Sequence, residues 1–232
     1  MEQTSHHPPI FNFLYLGENY KVYGYNQSEV SSGANSIKAR YKGKYTVEFK
    51  NGIKHYVYFP EFKLTGTLFG NRSIKYSGNM VVVDEANDLI SLIMMDPDER
   101  GFLKKMFSKK KANYPDYFKG IITTISKNAK FDKKEKSYSI SDINKYIISS
   151  IEGEYSNHIK FNEDFYWQKD KLEHPTYKRM KFTLPSDSTF REDIIWLRKQ
   201  NEDMAQKAKI NLEEIQRGDK KNREKFMKTK NK

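Results

Sequence analysis

The sequence predicts a β-rich α+β fold: an antiparallel meander forming most of a β-barrel, followed by carboxy-terminal helices. Three observations carry this. Between Ile10 and Met95, short apolar and aromatic segments recur at close spacing, punctuated by Gly, Asn and Asp. The 232 residues include 16 Tyr and 15 Phe, side chains that suit a pleated, half-buried surface. Near Phe182 the character changes from strand to helix. The expected boundaries are 1–182 for the barrel part, 183–226 for a helical part of the same domain, and 227–232 for a disordered basic tail.

Taken in order, Ile10–Leu16 is an apolar strand and Tyr20–Tyr25 alternates with period two. A polar loop is expected over Asn26–Asn35, which carries three serines and a glycine. Ser36–Phe49 continues the meander, with Ile37, Ala39 and Tyr41 on one face. Asn51-Gly52, directly before Tyr56–Phe59, is a strong hairpin signal. Further strands are expected at Phe62–Leu68, Arg72–Tyr76, Met80–Val83 and Leu89–Met95, with turns at Ser77–Asn79 and Glu85–Asp88. A meander of this length curls and closes on itself.

Asp96–Pro115 breaks the pattern. Phe102, Leu103, Met106 and Phe107 are interleaved with Lys104, Lys105, Lys109, Lys110 and Lys111. Such a segment suits either a membrane-docking loop on an anionic bilayer or a charged helix covering the barrel with its apolar residues inward. Strands resume at Tyr117–Ser126 and Tyr146–Ile151, with Lys127–Lys136 a basic loop between them. Gly153–Ser156 and Phe165–Trp167 form a further hairpin. Thr189 and Glu192 have capping-box spacing and predict a helix start, and Asn201 opens a longer helix to about Arg223.

The chain carries a net charge of +12, with a pI near 9.4, 37% hydrophobic residues and a mean hydropathy of −0.88. That balance implies an anionic partner: nucleic acid, an acidic membrane face or a phosphorylated small molecule. With no cysteine, a disulfide framework is excluded and a reducing compartment is expected. No apolar run approaches the length of a membrane-spanning helix, and the amino terminus lacks the pattern of a signal peptide. The expectation is a cytoplasmic protein, peripheral on membranes.

Two stretches carry chemistry. Glu2-Gln3-Thr4-Ser5-His6-His7-Pro8-Pro9 puts adjacent imidazoles before two stiffening prolines. Neighbouring side chains diverge in an extended chain, so the pair serves one ligand only where a turn bends them together. A metal role is disfavoured, because zinc needs three or four ligands and His55, His158 and His174 are scattered. The second stretch is Lys209, Glu213 and Arg217, spaced i, i+4, i+8 on the long helix. They lie within about 80° of one another along about 12 Å of axis, and Met204, Ala208, Leu212 and Ile215 form an apolar stripe roughly 145° away. A solvated face with weak ion pairs has the same spacing.

The octet closely resembles the signature of the oxysterol-binding-protein-related lipid-transfer family, written E-Q-[VT]-S-H-H-P-P. Gly153-Glu154-Tyr155-Ser156 is similar to a strand of that family with Tyr155 for its tryptophan. Leu184–Ser188 with Phe190–Asp193, and the Lys209, Glu213, Arg217 element, resemble its carboxy-terminal half. The resemblance implies a lipid-binding barrel, here incomplete over 1–182, with phosphatidylinositol 4-phosphate held at the tunnel mouth. It implies His6, His7 and Arg217 at the 4-phosphate, Lys209 toward the phosphodiester, and Glu213 orienting the cluster. Arginine's fork and lysine's point charge suit those roles. The family's domains begin well upstream, with a lid and a further lysine. The chain therefore looks like the carboxy-terminal two-thirds of such a domain, with first strands left unpaired and open to aggregation.

The function expected is lipid binding with non-vesicular transfer or sensing, exchanging phosphatidylinositol 4-phosphate for a sterol or phosphatidylserine. The alternative is a basic β-barrel module that binds nucleic acid or an anionic membrane surface without lipid extraction. No ribonucleoprotein-type motif supports nucleic acid. No nucleophile elbow, phosphate-binding glycine loop or metal set supports an enzyme, and no cofactor is expected.

Overall fold

The computed structural model describes residues 1–95, 116–125, 143–171 and 183–230. Among these residues, thirteen strands form one antiparallel sheet. They are β1 (Glu2–Ser5), β2 (Ile10–Leu16), β3 (Tyr20–Gly33), β4 (Ser36–Lys42), β5 (Tyr45–Phe49), β6 (Lys54–Tyr58) and β7 (Glu61–Thr65). The series continues with β8 (Ser73–Asp84), β9 (Leu89–Met95), β10 (Tyr117–Ile125), β11 (Ile143–Glu154), β12 (His158–Phe161) and β13 (Asp164–Gln168).

Gly24 pairs with both Phe13 and Tyr45, and Gln27 with both Ile10 and Lys42. β2 therefore runs along one edge of β3 while β4 and β5, two halves of a strand broken at Gly43 and Lys44, share the other. β6 and β7 are likewise two halves of a strand lying along β8, interrupted at Phe59 and Pro60. Read this way the sheet follows sequence order from β1 to β13, the meander expected from the alternating pattern.

Two local expectations are corrected. The Asn26–Asn35 stretch is strand as far as Gly33, paired residue by residue with β4. Its serines have low intrinsic strand preference, but a full ladder of partners outweighs that. Ser77–Asn79 is also strand, inside β8. Gly78 adopts φ 87° there, a conformation closed to most side chains, at the point where β8 changes partner from β7 to β6. The Asn51-Gly52 hairpin forms between β5 and β6, with Asn51 Oδ1 accepting from the Ile53 amide at 3.1 Å.

β9 shows how the sheet is packed. Alternate residues point to opposite faces, so Ile90 joins Val81 and Val83 in one buried cluster. On the other face Met95 joins Phe118 and Ile151. Where β4, β7 and β8 run side by side, one face is apolar, with Ile37, Leu64 and Ile74 in register. The opposite face holds Lys38, Lys63 and Lys75 in register.

Two helices follow, α1 (Glu192–Arg198) and α2 (Glu202–Lys230). The expected capping box does not start α1. Asp187 Oδ1 accepts from the Thr189 amide at 2.9 Å and caps a 3-10 turn over Ser188–Phe190, so the helix begins only at Glu192. α2 does start at Asn201, whose Oδ1 accepts from the Met204 amide at 3.0 Å. It runs past both Arg223 and the expected boundary at 226. The Lys220–Glu224 pair at 3.8 Å and the Thr229 hydroxyl, which donates to the Phe226 carbonyl at 2.7 Å, support those last turns.

The first strand is not left open. The Ser188 amide donates to the Met1 carbonyl at 2.7 Å, and Gln216 Nε2 on α2 donates to the Gln3 carbonyl at 2.8 Å. Arg191 Nη1 adds a bond to Gln3 Oε1 at 3.2 Å. The helical segment thus occupies the edge of β1 that faces away from β2.

Candidate functional site

A tight turn carries His6 to Pro9 between β1 and β2, through a cis peptide between His7 and Pro8. The Ser28 amide on β3 donates to the Pro9 carbonyl at 3.0 Å and holds the turn against the sheet. Ser5, at the entrance to the turn, is almost fully buried. The turn bends the two imidazoles together: their ring centroids lie 4.2 Å apart at 55°. His6 is half-buried and His7 is exposed.

α2 supplies the other side. Glu213 Oε1 lies 3.6 Å from His6 Nε2, and Glu213 Oε2 lies 3.5 Å from Arg217 Nη2. Glu213 is thus a carboxylate bridge between the histidine turn and the helix. Lys209 stands one helical turn before Glu213 on the same face. It is exposed and in contact with none of the other four. The structure therefore brings four of the five expected residues into one chain of contacts and sets Lys209 beside it. A phosphate placed there would meet a guanidinium fork and two imidazoles, with an ammonium one turn away.

This contact depends on how α2 is rotated. The face turned to the protein carries Ala205 and Ala208, both buried, with Met204, Leu212, Glu213, Gln216 and Lys220 half-buried. Ile215, expected in the apolar stripe, is 54% exposed. Met204, Ala208 and Leu212 of that stripe do face the protein, and the docked face as a whole is turned by roughly 60° from it, toward the charged ladder. Two alanines let the helix sit close, and Gln216 anchors it to β1. Gln3 and Gln216 are positioning residues that the motif reading missed. The only sequence signal for Gln216 is its place three residues after Glu213, next to Arg217.

The membrane-docking lysines Lys104, Lys105, Lys109, Lys110 and Lys111 lie outside the described residues. A cavity of about 410 Å³ opens elsewhere, between β2 and the segment before α1, with Phe13, Leu14, Leu16 and Leu184 in its wall. None of the five site residues lines it. Aromatic rings form continuous contacts within the sheet: Phe13 with Tyr45 at 4.3 Å, and Tyr45 with Phe59 at 4.6 Å. Tyr76 bridges Phe62 and Tyr155 in the same manner.

The sequence model of the oxysterol-binding protein family matches residues 1–232. Oxysterol-binding protein 9 of Dictyostelium discoideum is 31% identical over 226 residues, which is 96% of this chain and 52% of that protein. The Osh3 ORD of Saccharomyces cerevisiae, solved in complex with PI(4)P, superposes with a TM-score of 0.59 at 17% identity, over 96% of this chain and 58% of that one. The Osh1 ORD domain solved with cholesterol gives 0.60 at 16% identity, over 97% and 56%. The Osh1 ORD domain with ergosterol gives 0.59, also at 16%. The chain thus spans about half the length of the relatives it matches, with the histidine turn, the meander and the helical ladder all inside the matched region. It belongs to the oxysterol-binding protein family.

Proposed function

We propose that this chain binds lipid and takes part in lipid transfer or sensing, holding the phosphorylated head group of phosphatidylinositol 4-phosphate at the His6 turn. The observation that carries this is the Glu213 bridge, which places His6, His7 and Arg217 around one small region although two of them lie at the opposite end of the sequence from the third. Glu213 pairs with Arg217 and faces His6 in the unliganded state. A phosphate dianion would take over its role, with His6 and Arg217 turning from the carboxylate to the phosphate oxygens. Lys209 would meet the second, diester phosphate.

The relatives support the reading. One solved structure of this fold holds PI(4)P, and two hold a sterol. The aromatic contacts through Tyr45 and Tyr76 offer an apolar surface for a sterol or acyl chains, each square ångström buried contributing about 25 cal/mol. Exchange of the phosphoinositide for a sterol or phosphatidylserine completes the proposal, at the cytoplasmic face of a membrane.

Sedimentation with vesicles tests it. Vesicles containing phosphatidylinositol 4-phosphate are compared with phosphatidylserine vesicles of matched charge, for this chain and for His6→Ala/His7→Ala. Selective binding that the variant loses is the expected result. Equal binding to both vesicles, untouched by the substitution, would remove the head-group site and leave only a basic surface.

A further inference from the structure

The meander places its turns alternately at the two ends of the sheet. One end collects the histidine turn, the β3–β4 turn at Ala34 and Asn35, and the β7–β8 loop over residues 66–72. The last of these is built in an unusual way. Leu68 and Phe69 at its tip are 78% and 69% exposed. Two consecutive bulky apolar side chains held in water at a loop tip mark an interaction surface.

The loop is held in place by the neighbouring turn. Asn35 Oδ1 accepts from the Leu68 amide at 2.8 Å and the Phe69 amide at 3.2 Å, while its Nδ2 donates to the Phe69 carbonyl at 2.9 Å. The Gly66 amide donates to the Asn35 carbonyl at 3.1 Å. Gly66 sits at φ 74°, and a side chain there would run into the Asn71 backbone. The backbone that carries Leu68 and Phe69 is therefore bonded on three sides while the side chains themselves touch water. Their exposure is a property of a fixed loop.

Charge next to the tip indicates what covers it. Arg72 is exposed in the same loop. Lys38, Lys63 and Lys75 stand in register across β4, β7 and β8, two residues below the Ser36, Thr65 and Ser73 row that carries the tip. Lys38 and Lys63 stand directly opposite one another; like charges so placed destabilise a sheet, and an anionic surface relieves their repulsion. The tip also projects. Pro9 is bonded to Ser28, and β3 continues five residues further to Gly33, roughly 16 Å along the strand.

We propose that the 66–72 loop, clamped by Asn35, is a membrane wedge: Leu68 and Phe69 enter the interface of an anionic bilayer while Lys38, Lys63 and Arg72 meet its head groups. Apolar side chains flanked by cations, on the protruding end of the sheet, match the chemistry of that interface. The wedge is separate from the head-group cluster and shares with the lipid reading only the nature of the partner.

The test uses the full chain with phosphatidylcholine vesicles, with and without phosphatidylserine, and no phosphoinositide. Phe69→Trp should blue-shift and be quenched by brominated lipid on binding to the anionic vesicles, against the background of the two native tryptophans. Leu68→Ser/Phe69→Ser should bind these vesicles about tenfold or more weakly, and Lys38→Glu/Lys63→Glu should lose the preference for phosphatidylserine. His6→Ala/His7→Ala should bind them unchanged, which separates this surface from the head-group site. Circular dichroism confirms that each variant folds. The proposal is overturned if the unmodified chain ignores phosphatidylserine vesicles. It is also overturned if the serine variant binds them as tightly as the unmodified chain, or if the Phe69→Trp signal stays unchanged on binding. Loss of oligonucleotide and vesicle binding together in the lysine variant alone would mark the patch as a nucleic-acid surface and overturn it as well.

Discussion

Gln216 Nε2 donates to the carbonyl of Gln3 at 2.8 Å across 213 residues of sequence, and this bond anchors the helix that carries Glu213 to the strand that leads into the histidine turn. Removing it leaves a half-buried carbonyl without its partner. Gln216→Ala is expected to lower unfolding free energy by about 1 kcal/mol, measured by urea denaturation. The same variant should self-associate more readily, because the β1 edge is uncovered; light scattering at equal concentration reads this directly.

Arg217 faces water on one side and Glu213 on the other, so its ion pair contributes little to folding. Arg217→Ala should leave the thermal midpoint nearly unchanged and weaken phosphoinositide vesicle binding about tenfold or more. Arg217→Lys should recover only part of the loss, since an ammonium lacks the planar fork. Full affinity in the alanine variant would remove Arg217 from the site.

Asp84 gives the fold an acid limit. Burial pushes its carboxyl up, but the Asn87 side chain at 2.6 Å, His55 at 3.3 Å and the Ala86 and Asn87 amides together hold it below the usual carboxylate range. A depressed folded value means that the stabilisation is complete above the unfolded value of about 4 and is lost as pH falls through the folded one. Thermal unfolding followed from pH 6 downward should therefore show a decline in acid, and Asp84→Asn should flatten it. A variant with the same acid slope as the unmodified chain would assign the decline to other carboxylates.

Ala208 marks the close approach of α2. Ala208→Leu is expected to destabilise the fold by about 1–3 kcal/mol through overpacking. Because it pushes the helix away from β1, it should also weaken phosphoinositide binding without touching a head-group residue. Ala205→Leu, one turn earlier, serves as the comparison for the distance dependence.

The strands were legible in the sequence because their aromatic and β-branched residues alternate: Ile10–Leu16 and Leu89–Met95 are found with the expected bounds. The second half of β3 was not, because its serines hold strand geometry only through the β4 ladder, a pairing that no local signal announces. The octet and the helical spacing singled out His6, His7, Glu213 and Arg217, which the structure brings into one chain of contacts. The apolar stripe gives Met204, Ala208 and Leu212 as docked residues, but the further rotation toward Glu213 is set by Ala205 and the Gln216 amide, which carry no apolar signal of their own. The sequence pattern predicts a strand that ends at Leu68. The left-handed Gly66 stops the pairing at Thr65 and turns that residue into the loop tip.

The tie between β1 and α2 also sets a timetable. During synthesis the histidine turn exists long before its partner helix does, and at about 5–20 residues per second that gap is roughly 10–40 s. For that interval His6 has no Glu213 carboxylate beside it. The contact between the turn and the helix thus forms only after every described strand has been synthesised.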